Sequence, residues 1–260
     1  MNFAGGNSGG KPEIKQLTML GGAELENRSF DPVEGRLQSI ERMSARSLEI
    51  ERASGKIYGE GPGWLSRVQV GGASTGPASA KEPAPKDDSL SYLRVDFRKE
   101  LSGNLHRRAI EFSDQVHAVR GPVASWTDVV DPNKSREALG AQGMVLTTDR
   151  LGIAEFVAPG AKDGSLEMTA TGNTRVEGRD YTAFAARLTY TAAKSQLVLE
   201  GDGRSDAQIR HQLRDSIAAQ KILFWQDTGA VQIDGAKSIN LGPAQNTPKP
   251  PPSPRDKRPR

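Results

Sequence analysis

The sequence predicts an all-β protein of antiparallel strands built from repeated hairpins, and three observations carry that expectation. The first is strict alternation of apolar and polar residues in residues 169–203. There Leu188 and Tyr190 share one side of an extended segment, and Leu197 and Leu199 share one side of the next. Alternation with a period of two marks a strand with one buried and one wet face. The five residues between them, 191–195, are a common hairpin length. The second is that the pattern recurs at fixed spacing. The third is that turn residues divide the alternating segments; the high glycine and proline content, 28 and 16 residues, is explained in part by long tails and linkers.

The spacing is explicit. From Ala185, apolar residues fall at offsets +3 (Leu188), +5 (Tyr190), +12 (Leu197) and +14 (Leu199), with Gly201 at +16. From Ala219 the same offsets give Ile222, Phe224, Val231, Ile233 and Gly235. From Ala45 they give Leu48, Ile50, Ile57, Gly59 and Gly61, and offset +10 is Gly55, Ser195 or Gly229 in the three copies. Shared spacing with few shared identities is the mark of a repeated hairpin. The apolar residues of the Ala185 and Ala219 copies are expected to point to one interior.

Taken in order, residues 1–13 are rich in Gly, Asn and Ser and are expected to be disordered. Residues 15–28 read as a short hairpin about Gly21-Gly22, and GGAELEN at 21–27 parallels GNTRVEG at 172–178. Residues 27–42 leave a helical turn or an extra strand open, and strand is expected from Met43 onward because it matches the repeat. Residues 14–70 thus form a partial β-repeat. Residues 71–90, with three prolines and many small side chains, read as a linker. Strand patterning resumes in 91–242, where Leu93, Val95 and Phe97 alternate with Tyr92, Arg94 and Asp96. A turn is expected at Ser102-Gly103-Asn104 and a short capped helix within 131–141. Residues 243–260 form a basic, proline-rich tail without core residues.

Composition narrows the function classes. The net charge is only +3 and aromatic residues are 5% of the chain, so a nucleic-acid partner is not expected. Cysteine is absent, which excludes disulfides and thiolate chemistry. His106, His117 and His211 have no metal-ligand spacing, and no cofactor is expected. The GDGRSD run at 201–206 reads as a structural turn, and Ser125, Thr127 and Asp128 form no triad. Trp64, Trp126 and Trp225 are expected to pack in the core. Arg107, Arg108, Arg175, Arg179, Arg187 and Arg204 read as a solvated face, with contact of some of them to an anionic headgroup as the alternative. Glu167, Glu177 and Glu200 lie on different strands without an evident pair, which argues against a glycoside-cleaving enzyme. No apolar run approaches the ~20 residues of a membrane-spanning helix, and the N-terminus shows no apolar signal core. The chain is therefore expected to be cytoplasmic or to be part of a longer one.

The segment 172–204 followed by 217–239 resembles the repeating motif of the organic-solvent-tolerance and lipopolysaccharide-transport proteins (OstA/LptA/LptC-like). Gly172-Asn173, Ala185, Leu188, Tyr190, Leu197, Leu199 and Gly201 carry the resemblance, which fades over 92–160 and returns over 17–63. It implies a β-jellyroll whose two sheets enclose an apolar interior for the acyl chains of lipid A. It further implies a non-enzymatic module that bridges lipopolysaccharide to the outer membrane, located in the periplasm or cell envelope. Other domains of this kind would be partners through edge-strand pairing. On this reading Leu188, Tyr190, Leu197, Leu199, Ile222, Phe224, Val231 and Ile233 are the lipid-binding residues. The alternative is a structural β-repeat scaffold with a fully packed interior. An open groove favours the first reading and a filled interior the second.

Overall fold

A computed structural model describes residues 15–70, 89–130, 139, 143–156, 165–211 and 216–240. Its strands are β1 (Gln16–Phe30), β2 (Leu37–Glu51), β3 (Lys56–Glu60), β4 (Gly63–Val70), β5 (Leu90–Phe97), β6 (Glu100–Asn104) and β7 (Ala109–Val123). They continue with β8 (Met144–Phe156), β9 (Ser165–Gly178), β10 (Tyr181–Thr191), β11 (Gln196–Glu200), β12 (Ala207–His211), β13 (Ser216–Trp225) and β14 (Val231–Asn240). All pairings are antiparallel, and the described residues contain no α-helix. The fold is the all-β jellyroll expected. Because β4 pairs with β5 and β3 with β6, the strands before and after residues 71–88 belong to one continuous sheet.

The strand pairings resolve into two layers that share their long strands. In the first layer, residues 47–51 of β2 pair with β3, β3 with β6, and β6 with residues 109–113 of β7. In the second layer, residues 39–44 of β2 pair with β4, β4 with β5, and β5 with residues 117–123 of β7. The same division recurs at β10, whose residues 187–191 pair with β11 and residues 181–184 with β12. Long strands therefore run through both layers, and short strands fill one layer each. For this the long strands must bend.

The bends are β-bulges, and the repeat marks three of them. Leu20 pairs with Ser47 but Ala23 with Ala45, so Gly21-Gly22 places one extra residue against β2. Thr171 pairs with Arg187 but Thr174 with Ala185, which repeats the bulge at Gly172-Asn173. A third interrupts β13 and β14 at Ala218/Ala219. Each repeat-initiating alanine, Ala45, Ala185 and Ala219, thus stands at a bulge, where a small side chain suits a strand turning inward. The bulge residues Gly21, Gly22, Gly172 and Asn173 have φ of +80°, +105°, +79° and +44°, the left-handed region that glycine and asparagine tolerate best.

This corrects one expectation. Residues 15–28 do not turn back as a hairpin: β1 runs straight through Gly21-Gly22 to Phe30. A Gly-Gly pair supplies left-handed backbone for a bulge as readily as for a turn. The turn expected at Ser102-Gly103-Asn104 falls just beyond it, at residues 105–108, and those three residues end β6. The strand expected from Met43 starts earlier, at Leu37, and residues 27–30 extend β1, so the extra-strand alternative for 27–42 holds in part. The three repeat hairpins do form, as β2–β3, β10–β11 and β13–β14. Their +10 residues, Gly55, Ser195 and Gly229, all have positive φ, of +71°, +45° and +68°. The expected disorder in 1–13 and 243–260, the linker over 71–88, and the helix within 131–141 (Leu139 apart) lie outside the described residues. Leu90, placed in the linker by sequence, begins β5 and is buried.

The offset +16 glycines differ in where the chain goes after them. Beyond Gly61 and Gly201 it crosses from one layer to the other. A Cβ on Gly61 would strike the carbonyl of Arg98, and one on Gly201 the carbonyl of Ser205. Gly235 instead lies within β14 with φ +64°, where the strand passes the bulge without leaving its neighbour.

Candidate functional site

The eight residues singled out by sequence fall on two rows of one inner face. Register places Ile50, Ile57, Gly103, Ile110, Ile153, Met168, Tyr190, Leu197, Phe224 and Val231 side by side across the first layer. The next row inward holds Leu48, Gly59, Leu101, Phe112, Leu151, Ala170, Leu188, Leu199, Ile222 and Ile233. Offsets +5 and +12 are therefore the outer row and +3 and +14 the inner row. Burial of a Leu, Ile or Phe side chain contributes roughly 1.5–3 kcal/mol, so these rows account for much of what holds the layers together.

Along the rows, the interior changes character. Leu188, Leu197, Leu199 and Ile222 are no more than 1% exposed, and Tyr190 and Phe224 are also buried. Ile233 is half-buried against the same core. Val231 does not reach the interior and is 38% exposed, because it opens β14, which has a described partner on one side only. This end is filled by rings. Tyr181 meets Phe224 edge-on at 4.9 Å, and the Tyr181 hydroxyl accepts a 2.6 Å bond from Gln226 Nε2. Burial pushes the Tyr181 phenol well above its ordinary pKa, partly opposed by that hydrogen bond. Tyr181 lies over Gly178, whose missing side chain makes the room. Arg120 reaches across from the second layer, donating to the Tyr190 hydroxyl at 2.8 Å with its guanidinium 5.6 Å from the ring centre.

At the other end the layers stand apart. A groove of about 510 Å³ opens there, with Leu25, Met43, Leu65 and Leu93 on the second layer facing Ile50, Ile57, Ile110 and Ile153 on the first. The row position that holds buried Tyr190 and Leu197 at the filled end holds half-buried Ile50, Ile110 and Ile153 here. Gly103 leaves a gap between Ile57 and Ile110 in that row, and the Ala109 backbone would block a side chain there. Two polar rims border the mouth. On the second layer Glu41 pairs with both Asn27 and Arg67 in the ladder, and Arg67 Nε lies 3.4 Å from Glu41 Oε1. On the first layer Arg108 is paired with Glu155 at 3.0 Å, beside Asn104 and Leu105.

None of the eight sequence-chosen residues lines this groove. Its apolar wall was partly visible in the first repeat copy, through Ile50 and Ile57. A second feature emerges only with the strand register: Glu41 and Arg67 occupy inward positions two residues from Met43 and Leu65. A charged residue on the inner face of a strand marks a place where that face meets water or a ligand.

Other candidates resolve as structure. Asp202 accepts backbone N–H bonds from Ser205 and Arg204, which hold its carboxyl below the ordinary range and make 201–206 a turn. Asp128 Oδ1 accepts from Ser125 Oγ at 2.6 Å, and its Oδ2 accepts from the N–H groups of Ala124 and Ser125, a loop cap. No group of three His, Asp or Glu among the described residues is placed to hold a metal. The tryptophans are half-buried instead of central: Trp64 lies 4.8 Å beneath the Arg94 guanidinium, and Trp126 packs on the outer cluster of Val68, Leu90 and Tyr92. Outer-face positions attract them because a ring there covers sheet without having to fit between the layers. Of the arginines read as a solvated face, Arg175 pairs with Glu177, and Arg108 stands at the groove mouth.

No protein-family model matches the chain. No curated protein matches it either. Among solved structures it is similar to LptH of Pseudomonas aeruginosa, described as the LptA-homologous periplasmic component of the lipopolysaccharide transport device. The two are 15% identical, with a TM-score of 0.40, over 67% of this chain and 95% of that one. No described helix is long and apolar enough to cross a membrane.

Proposed function

We propose that this chain is a non-enzymatic module that takes acyl chains of lipopolysaccharide between its two layers and serves transport to the outer membrane. The observation that carries the reading is the apolar groove of about 510 Å³ bordered by polar rims. Its size falls within the ~300–1,000 Å³ of ligand sites, and apolar walls with few polar groups at the mouth suit an amphiphile. Acyl chains replace the packing that facing side chains supply at the filled end. The sequence resemblance supports the same pathway, and with it the periplasm or cell envelope as the place of action. Seven of the eight residues first chosen, all but Val231, then act as a packed buttress beside the groove that holds the layers in register. Strands β1 and β14 each have a described neighbour on one side only, which leaves their outer edges suited to pairing with further domains of this kind.

The filled end, with Leu197, Leu199 and Ile222 fully buried, favours a scaffold as the second reading. Asp substitutions at Leu93 and Ile153 separate the two. We expect Leu93→Asp and Ile153→Asp to lose binding to lipid A while retaining the β-sheet circular dichroism of the parent. Folded variants that bind lipid A as the parent does would favour the scaffold.

A further inference from the structure

Arg67 sits where the groove's apolar wall gives way to its rim. It shares the inner face of β4 with Leu65, two residues away, and its ladder partner on β5 is Leu93; all three line the groove. Its Nε is buried, and no hydrogen-bond acceptor meets it among the described residues. The Glu41 carboxylate stands 3.4 Å away in a geometry that makes an ion pair but no hydrogen bond. A buried N–H on a cation without an acceptor is rare in folded proteins. On the facing rim, Arg108 Nη1 by contrast donates a hydrogen bond to its partner Glu155 at 3.0 Å.

We infer that Arg67 is the headgroup-reading residue of the groove, and that the preferred occupant is an amphiphile carrying an anionic oxygen headgroup at the end of its chain. This rests on the acyl-chain reading above. With the chain against Leu65 and Leu93, the Arg67 side chain, 34% exposed, turns toward the mouth, and a phosphate or carboxylate oxygen there accepts from Nε and completes its hydrogen bonding. Guanidinium suits such oxyanions, and the bond is strengthened by charge. Glu41 opposes the headgroup by like charge. It thereby sets how strongly Arg67 attracts: the pair is a tuned site and not a bare cation. Arg67 was not among the arginines that sequence pointed out, because nothing in the string GWLSRVQV tells which of its polar residues faces inward.

The test is titration of the full chain with dodecyl phosphate and with uncharged dodecyl maltoside, each below its micelle concentration, against the parent, Arg67→Met and Glu41→Gln. The parent is expected to bind dodecyl phosphate about tenfold more tightly than the maltoside, as for a charge-assisted hydrogen bond. In Arg67→Met that preference should vanish while maltoside binding stays. In Glu41→Gln it should grow several-fold. Equal binding of the two probes by the parent, or a preference that survives Arg67→Met, would overturn the inference and leave the acyl-chain reading intact. Binding of neither probe would overturn both. Displacement of dodecyl phosphate by an equal concentration of inorganic phosphate would show an oxyanion site without a lipid, and would also overturn it.

Discussion

Leu199 and Ile153 are both apolar residues of the same inner face, yet one is fully buried and the other half-covered. Truncation removes transfer energy and leaves a cavity in the first case, but exposes an already wet wall in the second. We therefore expect Leu199→Ala to destabilise by about 2–5 kcal/mol in urea unfolding, and Ile153→Ala by on the order of half as much. Tyr181 gives a second residue-scale test. Burial raises its folded pKa above the unfolded value of about 10, so the folded state keeps the phenol proton to higher pH. Its contribution is full below about pH 10 and is lost as pH rises through the folded value. Tyr181→Phe should thus flatten the alkaline fall in stability, which unfolding curves at about pH 9 and pH 11 would reveal. An equal fall in both proteins would remove Tyr181 as the cause.

Among the elements, the crossing glycines leave no room for a side chain. Gly201 follows β11 against the backbone of Ser205, and a methyl group there forces the chain path between layers to shift. Gly201→Ala is expected to cost about 1–3 kcal/mol, in the range of overpacked sites, as read from urea unfolding. Gly203→Ala in the same turn meets no atom, but it must hold φ +84°. The same elements show how much was legible beforehand. Period-two spacing identified the hairpins and the rows, since side-chain direction alternates along any strand. It could not distinguish a turn from a bulge at Gly21-Gly22, because both need the same backbone freedom. Nor could it tell a filled stretch of a row from an open one. That depends on what the facing layer presents: Tyr181 and Arg120 at one end, Leu65 and Arg67 at the other.

At the scale of the whole molecule, the two layers are closed by rings at one end and left open at the other. The long bent strands hold both states in a single sheet system, so the packed end keeps the layers in register while the groove remains free. The claim that the groove takes acyl chains is tested most directly by photo-crosslinking to radiolabelled lipid A from three positions in otherwise unchanged protein. A photoreactive residue at Leu93 or Ile153, on the groove walls, is predicted to capture the lipid. One at Leu199, in the packed end, is predicted to capture none. Crosslinks from Leu199 with none from Leu93 or Ile153 would contradict the acyl-chain groove, and their absence from all three would leave a scaffold.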